Sequence, residues 1–402
     1  EVDKIRKAYL DITNKAFDRI SSDLENIQKL DNRFSIIKKS KMPRLQKAML
    51  LLDDSITYGT LPFAHLARSA FIAISVLKSA LSSRIISNAE YDDFLNSIST
   101  VSKELARDAD QFARGKISKD AFLKKYGHLR PGTYEITSQS YKKNPDLYLR
   151  PIVDSANDHK KEADLKVGTL WEKARHKIEL AMNEQGLSKT IDEMEAFMRK
   201  SIEGREYAKF IFSRNLSTAL DEITAWGKEN EIQTKTISKL SIEDIDSLSK
   251  GAIYKNIVEW AEKRSQHNTE SDQALKRVEL PPLISREEDF SVFLYPNNHT
   301  NFIGSNSIIA KCMTLGDKEY NSSLEGSIVL IPQADPGYDW LFGCNISGLI
   351  TMYGGANSHM AIRAAEFDLP AAIGVGRLLY RKLELSRKLE LNPSQGILRV
   401  ID

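Results

Sequence analysis

Thr351-Met-Tyr-Gly-Gly-Ala-Asn-Ser-His-Met-Ala-Ile-Arg-Ala-Ala365 is the stretch on which the reading of this chain turns. Residues Ile346 to Met352 are short, apolar and β-branched, the signature of a strand. Gly354 and Gly355 then allow a sharp turn and a close backbone approach to a ligand. Ser358 is a good N-cap, and the residues from Met360 onward are helix formers. His359 therefore falls in the first helical turn, where free N–H groups and the helix dipole favour an anion. The same dipole favours the neutral imidazole, which can attack as a nucleophile. A neutral histidine beside an anion cradle suits a group that accepts phosphate and hands it on. The structural alternative is a capping loop that carries a surface histidine.

Working outward, Pro370 ends the helix, and Ala371 to Val375 forms a small-residue strand before Gly376. This strand–Gly-Gly-x-x-Ser-His–helix–Leu-Pro-Ala–strand–Gly pattern resembles the swivelling phosphohistidine domain of the phosphoenolpyruvate-utilising and dikinase superfamily, over roughly residues 290 to 402. The resemblance makes His359 the phosphorylated residue and Gly354, Gly355 and Ser358 its phosphate pocket. It adds Thr351 to that pocket, although a plain strand-end threonine reads the same way. Ser358 caps the helix, touches the phosphoryl group, or does both. Arg363, four residues after His359, shares its helical face, open to a phosphoryl group or to a partner surface. Asp335-Pro-Gly-Tyr-Asp-Trp-Leu341 reads as a second helix start, with Asp335 as N-cap and Pro336 at the first position, and as structural.

The chain has 402 residues, enough for two or three domains with real cores. Its net charge of +2 gives no global pull toward nucleic acid. No apolar run reaches about 18 residues, so no membrane span is expected; Ala64 to Leu81 is interrupted by His65, Arg68 and Lys78. The two cysteines, Cys312 and Cys344, lie in no metal-type cluster and read as reduced thiols of a cytoplasmic protein. The chain opens at Glu1 directly into a helical pattern, as if cut from something longer.

Residues 1–280 are dominated by helical periodicity and read as a mainly α domain. The expected helices are Val2 to Ile37 as one helix or two, Leu45 to Leu52, Pro62 to Ser82, Asn88 to Ala113, Leu170 to Trp226 ahead of Gly227, and Ile242 to Ser265. Residues 125–168 carry glycines, prolines and tyrosines without periodicity and read as an ordered functional loop. Around Leu280-Pro-Pro-Leu283 the character changes, so 281–290 is a linker and 291–402 a β/β/α unit. Its expected strands are Ser291 to Leu294, Ser307 to Cys312, Ser327 to Ile331 and Gly348 to Met352, then Leu383 to Leu391 and Ile397 to Ile401 around a turn at Asn392-Pro-Ser-Gln-Gly396.

Within the helical part, Lys125-Tyr-Gly-His-Leu-Arg-Pro-Gly-Thr-Tyr-Glu-Ile-Thr-Ser138 packs His128, Arg130, Tyr134, Glu135 and Thr137 into one turn region. Arg130 can clamp a carboxylate or phosphate, and His128 can move a proton; the plain reading is a hydrogen-bonded turn. Thr60 and Pro62 read as a helix start, with Tyr58, His65 and Arg68 around it. Arg205, Lys209 and Ser213 share one helix face, and Arg214 lies off that line. Such charges are most often solvated or paired. The wording of residues 58–68 and 126–137 is similar to the rifampin phosphotransferase-like branch, and within it to the L-glutamine kinases of bacterial capsule phosphoramidate synthesis. By that resemblance Tyr58, Arg68, Arg205 and Arg214 join the 128–137 set in binding an acceptor. His159, His176, His267 and His299 read as surface residues, and Asp110, Asp146 and Asp154 show no ligand pattern. No metal site is expected.

The resemblance implies an ATP-dependent dikinase-type enzyme in which ATP and Mg2+ are bound by an N-terminal domain absent from this chain. It phosphorylates His359, releases AMP and phosphate, and passes the group to a small acceptor, with the L-glutamine amide favoured. The hinge is expected at Leu280 to Leu283. Nothing after residue 402 supplies a phosphoenolpyruvate barrel. The alternatives are an antibiotic phosphotransferase, or a non-catalytic relay that receives phosphate on His359. Expected partners are the small acceptor and the ATP-binding domain, with neither nucleic acid nor membrane.

Overall fold

The computed structural model describes residues 2–146, 148–149, 169–184, 189–253, 255–275, 284–291, 300–315, 324–356 and 358–401. Its helices are α1 (Val2–Lys39), α2 (Arg44–Asp54), α3 (Leu61–Ser82), α4 (Asn88–Ser97), α5 (Val101–Ala113), α6 (Lys119–Tyr126), α7 (Thr169–Glu184), α8 (Ile191–Glu229), α9 (Thr234–Ile237), α10 (Ile242–Ser249), α11 (Ile257–Leu275), α12 (His359–Glu366) and α13 (Arg377–Glu384). The strands are β1 (Asn301–Ile303), β2 (Ile308–Thr314), β3 (Ile328–Gln333), β4 (Gly348–Tyr353), β5 (Ala371–Ile373), β6 (Lys388–Asn392) and β7 (Ile397–Val400). The helical region thus precedes a mixed sheet, in the order expected from the sequence. Two compact units form: Glu1–Asp108 with Lys160–Ala219, and Ala109–His159 with Leu220–Asp402. Residues 109–159 and 220–275 therefore group with the sheet, rather than with the helices that precede them in sequence.

The first unit is a helical bundle. On α1 the buried positions are Ala16, Ile20, Asp23, Ile27, Leu30, Phe34 and Ile37, alternating steps of four and three. That spacing makes a seam of coiled-coil type, against which Leu66, Ala73 and Leu77 of α3 and Phe197 and Phe212 of α8 pack. Phe17 stacks on Phe197 at 3.9 Å, and Phe94 lies 4.1 Å from Trp171. Asp23 interrupts the apolar seam and is answered by His65 Nδ1 at 3.0 Å.

Several expectations are corrected here. Thr60 and Pro62 do not start a helix: Arg44–Ser82 is continuous, through a π-helical turn at Ser55–Thr60. Gly59 sits in that turn because a Cβ there would meet Phe212 Cβ at 2.6 Å. By length and a mean hydropathy of 1.4 this helix is apolar enough to cross a membrane, a test that core helices also pass. Its buried stripe of Leu66, Ala70, Ala73 and Leu77 belongs to the bundle core or its neighbours. The expected helix from Asn88 breaks at Ile98, and that from Ile242 breaks after Ser249. Gly227 does not end α8, which continues to Glu229.

In the second unit the strand order is β1-β5-β4-β3-β2-β6-β7. The pairs β2–β3, β3–β4 and β4–β5 are parallel, and β1, β6 and β7 join antiparallel. Alternation along the strands divides the core into two layers. Val329, Ile331, Leu349, Ala371 and Ile373 face one side and pack on Met360, Ala361 and Ala364 of α12. Ile328, Leu330, Ile350 and Ala372 face the other, under Tyr380 and Leu383 of α13. Burial on both faces explains why β3 to β5 read as unbroken apolar runs. Leu383, expected in a strand, belongs to α13, where it is buried with Tyr380. The expected strand from Ser291 to Leu294 and the hinge at 280–283 lie largely outside the described residues; Ser291 itself closes a 3-10 turn, Glu287–Ser291. Both cysteines are thiols, Cys312 donating to the Leu383 carbonyl at 3.4 Å and Cys344 to the Trp340 carbonyl at 3.5 Å.

Candidate functional site

Three consecutive strand ends build the site. In open α/β sheets the crevice at the carboxyl ends of parallel strands is where ligands bind. Here β3 ends at Gln333 and leads into a 3-10 turn, Pro336–Gly343. β4 ends at Tyr353 and leads through Gly354 to α12, while β5 ends at Ile373 and leads to Gly374. Gly354 has φ +140°, and a Cβ on it would lie 2.6 Å from Ala334 Cβ. Gly374, at φ +72°, lets its backbone pass against the Gly354 carbonyl. Gly355 meets neither constraint: its backbone is ordinary, and among the described residues nothing lies within 4 Å of an added Cβ.

Thr351 is fully buried, and its hydroxyl accepts from the Gly374 N–H at 3.0 Å. It thus shapes the pocket by bracing the glycine turn. Ser358 caps α12, its hydroxyl accepting from the Ala361 N–H at 3.4 Å. His359 is the first helical residue. Its Nε2 lies 2.6 Å from Asp339 Oδ1, with side-chain exposures of 11% and 7%. Arg363 Nε reaches the same oxygen at 3.8 Å. The Arg363 guanidinium also sits 4.7 Å from the Phe367 ring centre and 5.6 Å from that of Phe342. One carboxylate therefore holds both an imidazole and a guanidinium. When Nε2 donates to Asp339, the lone pair of that tautomer lies on Nδ1. Nothing local in the sequence marks Asp339, whereas Asp335 carries the N-cap signal. Asp335 does occupy the N-cap position, but its carboxylate makes no cap bond and instead accepts from the Thr133 N–H at 3.4 Å.

In the same unit, the 128–138 stretch is a tight turn region. Arg130 is buried; Nη1 donates to the Ser138 carbonyl at 3.0 Å and Nη2 to Asp221 at 2.9 Å. Burial lowers its pKa from the usual arginine value, and Asp221 opposes that shift. Lys143 joins Asp221 at 2.7 Å. Arg130 thus fastens its own loop. Tyr134, Glu135 and Thr137 are exposed, and Glu135 accepts from the backbone and hydroxyl of Thr137. His128 is half-buried.

The other four proposed acceptor residues fall in the helical unit. Tyr58 lies under Arg33 at 5.5 Å, and Arg33 pairs with buried Asp54 at 2.7 Å. Arg214 pairs with Asp31 at 2.5 Å and lies 4.0 Å from the Phe34 ring centre. Tyr58 and Arg214 therefore both end on the 31–34 stretch of α1. Arg205 stands apart over Phe71 at 5.7 Å, and Arg68 is exposed. His176 and His267 are exposed, as expected, while His159, His299 and Asp154 lie outside the described residues. Among the described residues no three His, Cys, Asp or Glu side chains gather as a metal site.

Residues 324–396 match the family model of the PEP-utilising enzyme mobile domain, which spans β3, the Asp339 turn, the glycine turn and α12. The match covers the sheet-bearing part of the chain from the start of β3 to the turn after β6. Over 308 residues the chain is 23% identical to the rifampicin phosphotransferase of Bacillus cereus, covering 70% of this chain and 34% of that protein. The chain spans about a third of the length of that relative.

Proposed function

We propose that this chain is the carrier part of an ATP-dependent phosphotransferase, in which His359 accepts a phosphoryl group and passes it to a small acceptor. The observation that carries the reading is His359 at the capped start of α12, behind a glycine turn that requires φ +140° at Gly354 and fixed by Asp339 at 2.6 Å. ATP with Mg2+ supplies the phosphoryl group in this reading. The imidazole lone pair attacks phosphorus, an N–P bond forms, and the P–O bond to the leaving group breaks. An acceptor nucleophile then attacks the same phosphorus, and the electron pair of the N–P bond returns to the ring. Such transfer asks for positioning and charge stabilisation more than for covalent help. Asp339 orients the ring, and Arg363 stands on the same carboxylate to meet the incoming negative charge.

The acceptor we favour is L-glutamine, on the wording of residues 58–68 and 126–137. The similarity to a rifampicin phosphotransferase supports a second reading, an antibiotic acceptor. Phosphorus NMR of the complete protein with Mg-ATP and L-glutamine, beside a His359→Ala control, tests the carrier and the glutamine acceptor. A new phosphoramidate resonance that needs His359 supports glutamine. Labelled His359 without that resonance rejects glutamine and keeps the carrier. Absence of any His359-dependent phosphate chemistry would falsify the carrier reading.

A further inference from the structure

We propose that His359 carries its phosphoryl group on Nδ1, and that Asp339 makes that choice by holding Nε2. The inference rests on the carrier reading above and names the atom at which the carrier works. Nε2 stands 2.6 Å from Asp339 Oδ1, and both side chains are little exposed. A carboxylate has no proton to give, so the ring nitrogen that meets it bears the N–H and the lone pair lies on Nδ1. The in-plane position that a phosphorus on Nε2 would need is the one Asp339 fills. A phosphoryl group there would also face a carboxylate, like charge against like, with little water to screen it. Neither partner is placed to swing aside. Tyr338, just before Asp339, and Leu341, two residues after it, are buried in the core layer beneath α12. Met360, next to His359, is fully buried in the same layer. Arg363 Nε, 3.8 Å from the same Asp339 oxygen, holds the carboxylate from a second side.

With Nδ1 as the attacking atom, no ring proton moves in either half-reaction. Loading forms the Nδ1–P bond as the P–O bond to the leaving group breaks, and that electron pair departs with the oxygen. The ring becomes an imidazolium whose Nε2–H stays on Asp339. The carboxylate then balances the new positive charge, as an orienting aspartate does for the histidine of a catalytic triad. Discharge returns the Nδ1–P electron pair to Nδ1 and restores the same neutral tautomer, while the proton of the acceptor nucleophile passes to water. Nδ1 is also the ring nitrogen nearer the backbone. His359 is the first residue of α12, so a phosphoryl group on Nδ1 lies by the positive end of that helix. Asp339 is thus a positioning residue, acting on phosphorus through the imidazole.

The test is the identity of the labelled nitrogen in the complete protein treated with Mg-ATP. After alkaline digestion the Nδ1 and Nε2 isomers of phosphohistidine separate by chromatography, and the relevant label is the one lost in His359→Ala. That label should be on Nδ1 alone; label on Nε2 overturns the proposal. Asp339→Ala uncovers Nε2 and should move a large share of the label to it, while slowing loading about 10-fold or more. A merely structural role would lower the yield without changing the nitrogen, so label still confined to Nδ1 in that variant overturns the part given to Asp339. If the variant does not load, nitrogen NMR of the unphosphorylated protein with isotope-labelled histidine decides, the His359 signals again identified by their loss in His359→Ala. The Nε2–H tautomer is expected there, and the Nδ1–H tautomer overturns the assignment. An unlabelled His359 in the unsubstituted protein overturns instead the carrier reading beneath it.

Discussion

His359 Nε2 and Asp339 Oδ1 stand 2.6 Å apart, although twenty residues separate them and each belongs to a different strand-end connection. The pairing depends on β3 and β4 being parallel neighbours, with Gln333 opposite Tyr353, so that both connections leave the same end of the sheet. A carboxylate on one imidazole nitrogen fixes ring orientation and tautomer. Asp339→Asn keeps the shape but removes the charge that Arg363 also uses. Phosphorylation of His359 in the complete protein with Mg-ATP should slow about 10- to 100-fold, read as acid-labile label on His359. An unchanged rate would make the carboxylate a bystander.

Arg130 presents a different expectation from a ligand clamp. It is 3% exposed, and its guanidinium serves the Ser138 carbonyl and Asp221. Removing one partner of a buried pair leaves the other uncompensated, which costs about 3–5 kcal/mol. Arg130→Met should therefore lower stability by a sizeable part of that, less for the partial exposure of Asp221. Arg130→Lys should not restore it, because an ammonium does not reproduce the planar fork. Urea unfolding followed by circular dichroism measures the loss. Full stability with weakened acceptor binding would return Arg130 to the ligand.

The His359 strand–turn–helix was legible because its signals are local: β-branched residues, a glycine with a left-handed requirement, a capping serine and a small-residue strand. Asp339 was not legible, because its role depends on which strand ends lie side by side. That pairing is not written in a window of ten or twenty residues. The Ser55–Thr60 turn was misread for a related reason. Gly-Thr-x-Pro is a helix-start signal in isolation, but packing of Gly59 on Phe212 carries the helix straight through it. Likewise the leucine–polar alternation in Leu383 to Leu391 reads as strand, but its first residues are helical, with Leu383 packed beneath the sheet.

Asp244 gives the second unit an acid-sensitive joint. It is buried and accepts from Arg264 at 2.8 Å, Asn268 at 2.9 Å and the Ser241 N–H at 2.9 Å. Burial acts to raise its pKa, but these hydrogen bonds outweigh it, and the pKa falls below the usual aspartate value. A carboxylate depressed in the folded state contributes stability above its unfolded pKa and loses it as pH falls through the folded one. The contribution should be complete above about pH 5 and decline below about pH 4. Asp244→Asn should flatten that part of the profile and lower the melting temperature at pH 7. A profile of unchanged slope would place the acid sensitivity elsewhere.

Gly354 and Gly355 look alike in the sequence, and the structure assigns them unequal roles. Gly354 adopts φ +140° and faces Ala334 Cβ and Ile373 Cγ2, which a new methyl would meet at 2.6 and 3.1 Å. Both the backbone penalty and the overlap fall on Gly354→Ala, a cost of about 2–4 kcal/mol. Relief requires the β4–α12 connection to shift, which moves His359 away from Asp339. Gly355→Ala meets open space on an ordinary backbone and should change stability by less than about 0.5 kcal/mol. Paired urea titrations of the two variants, with His359 labelling measured alongside, test the contrast. Equal losses in both would mean that the turn needs two glycines for a reason other than conformation at Gly354, and the assignment of the turn to that one residue would fall.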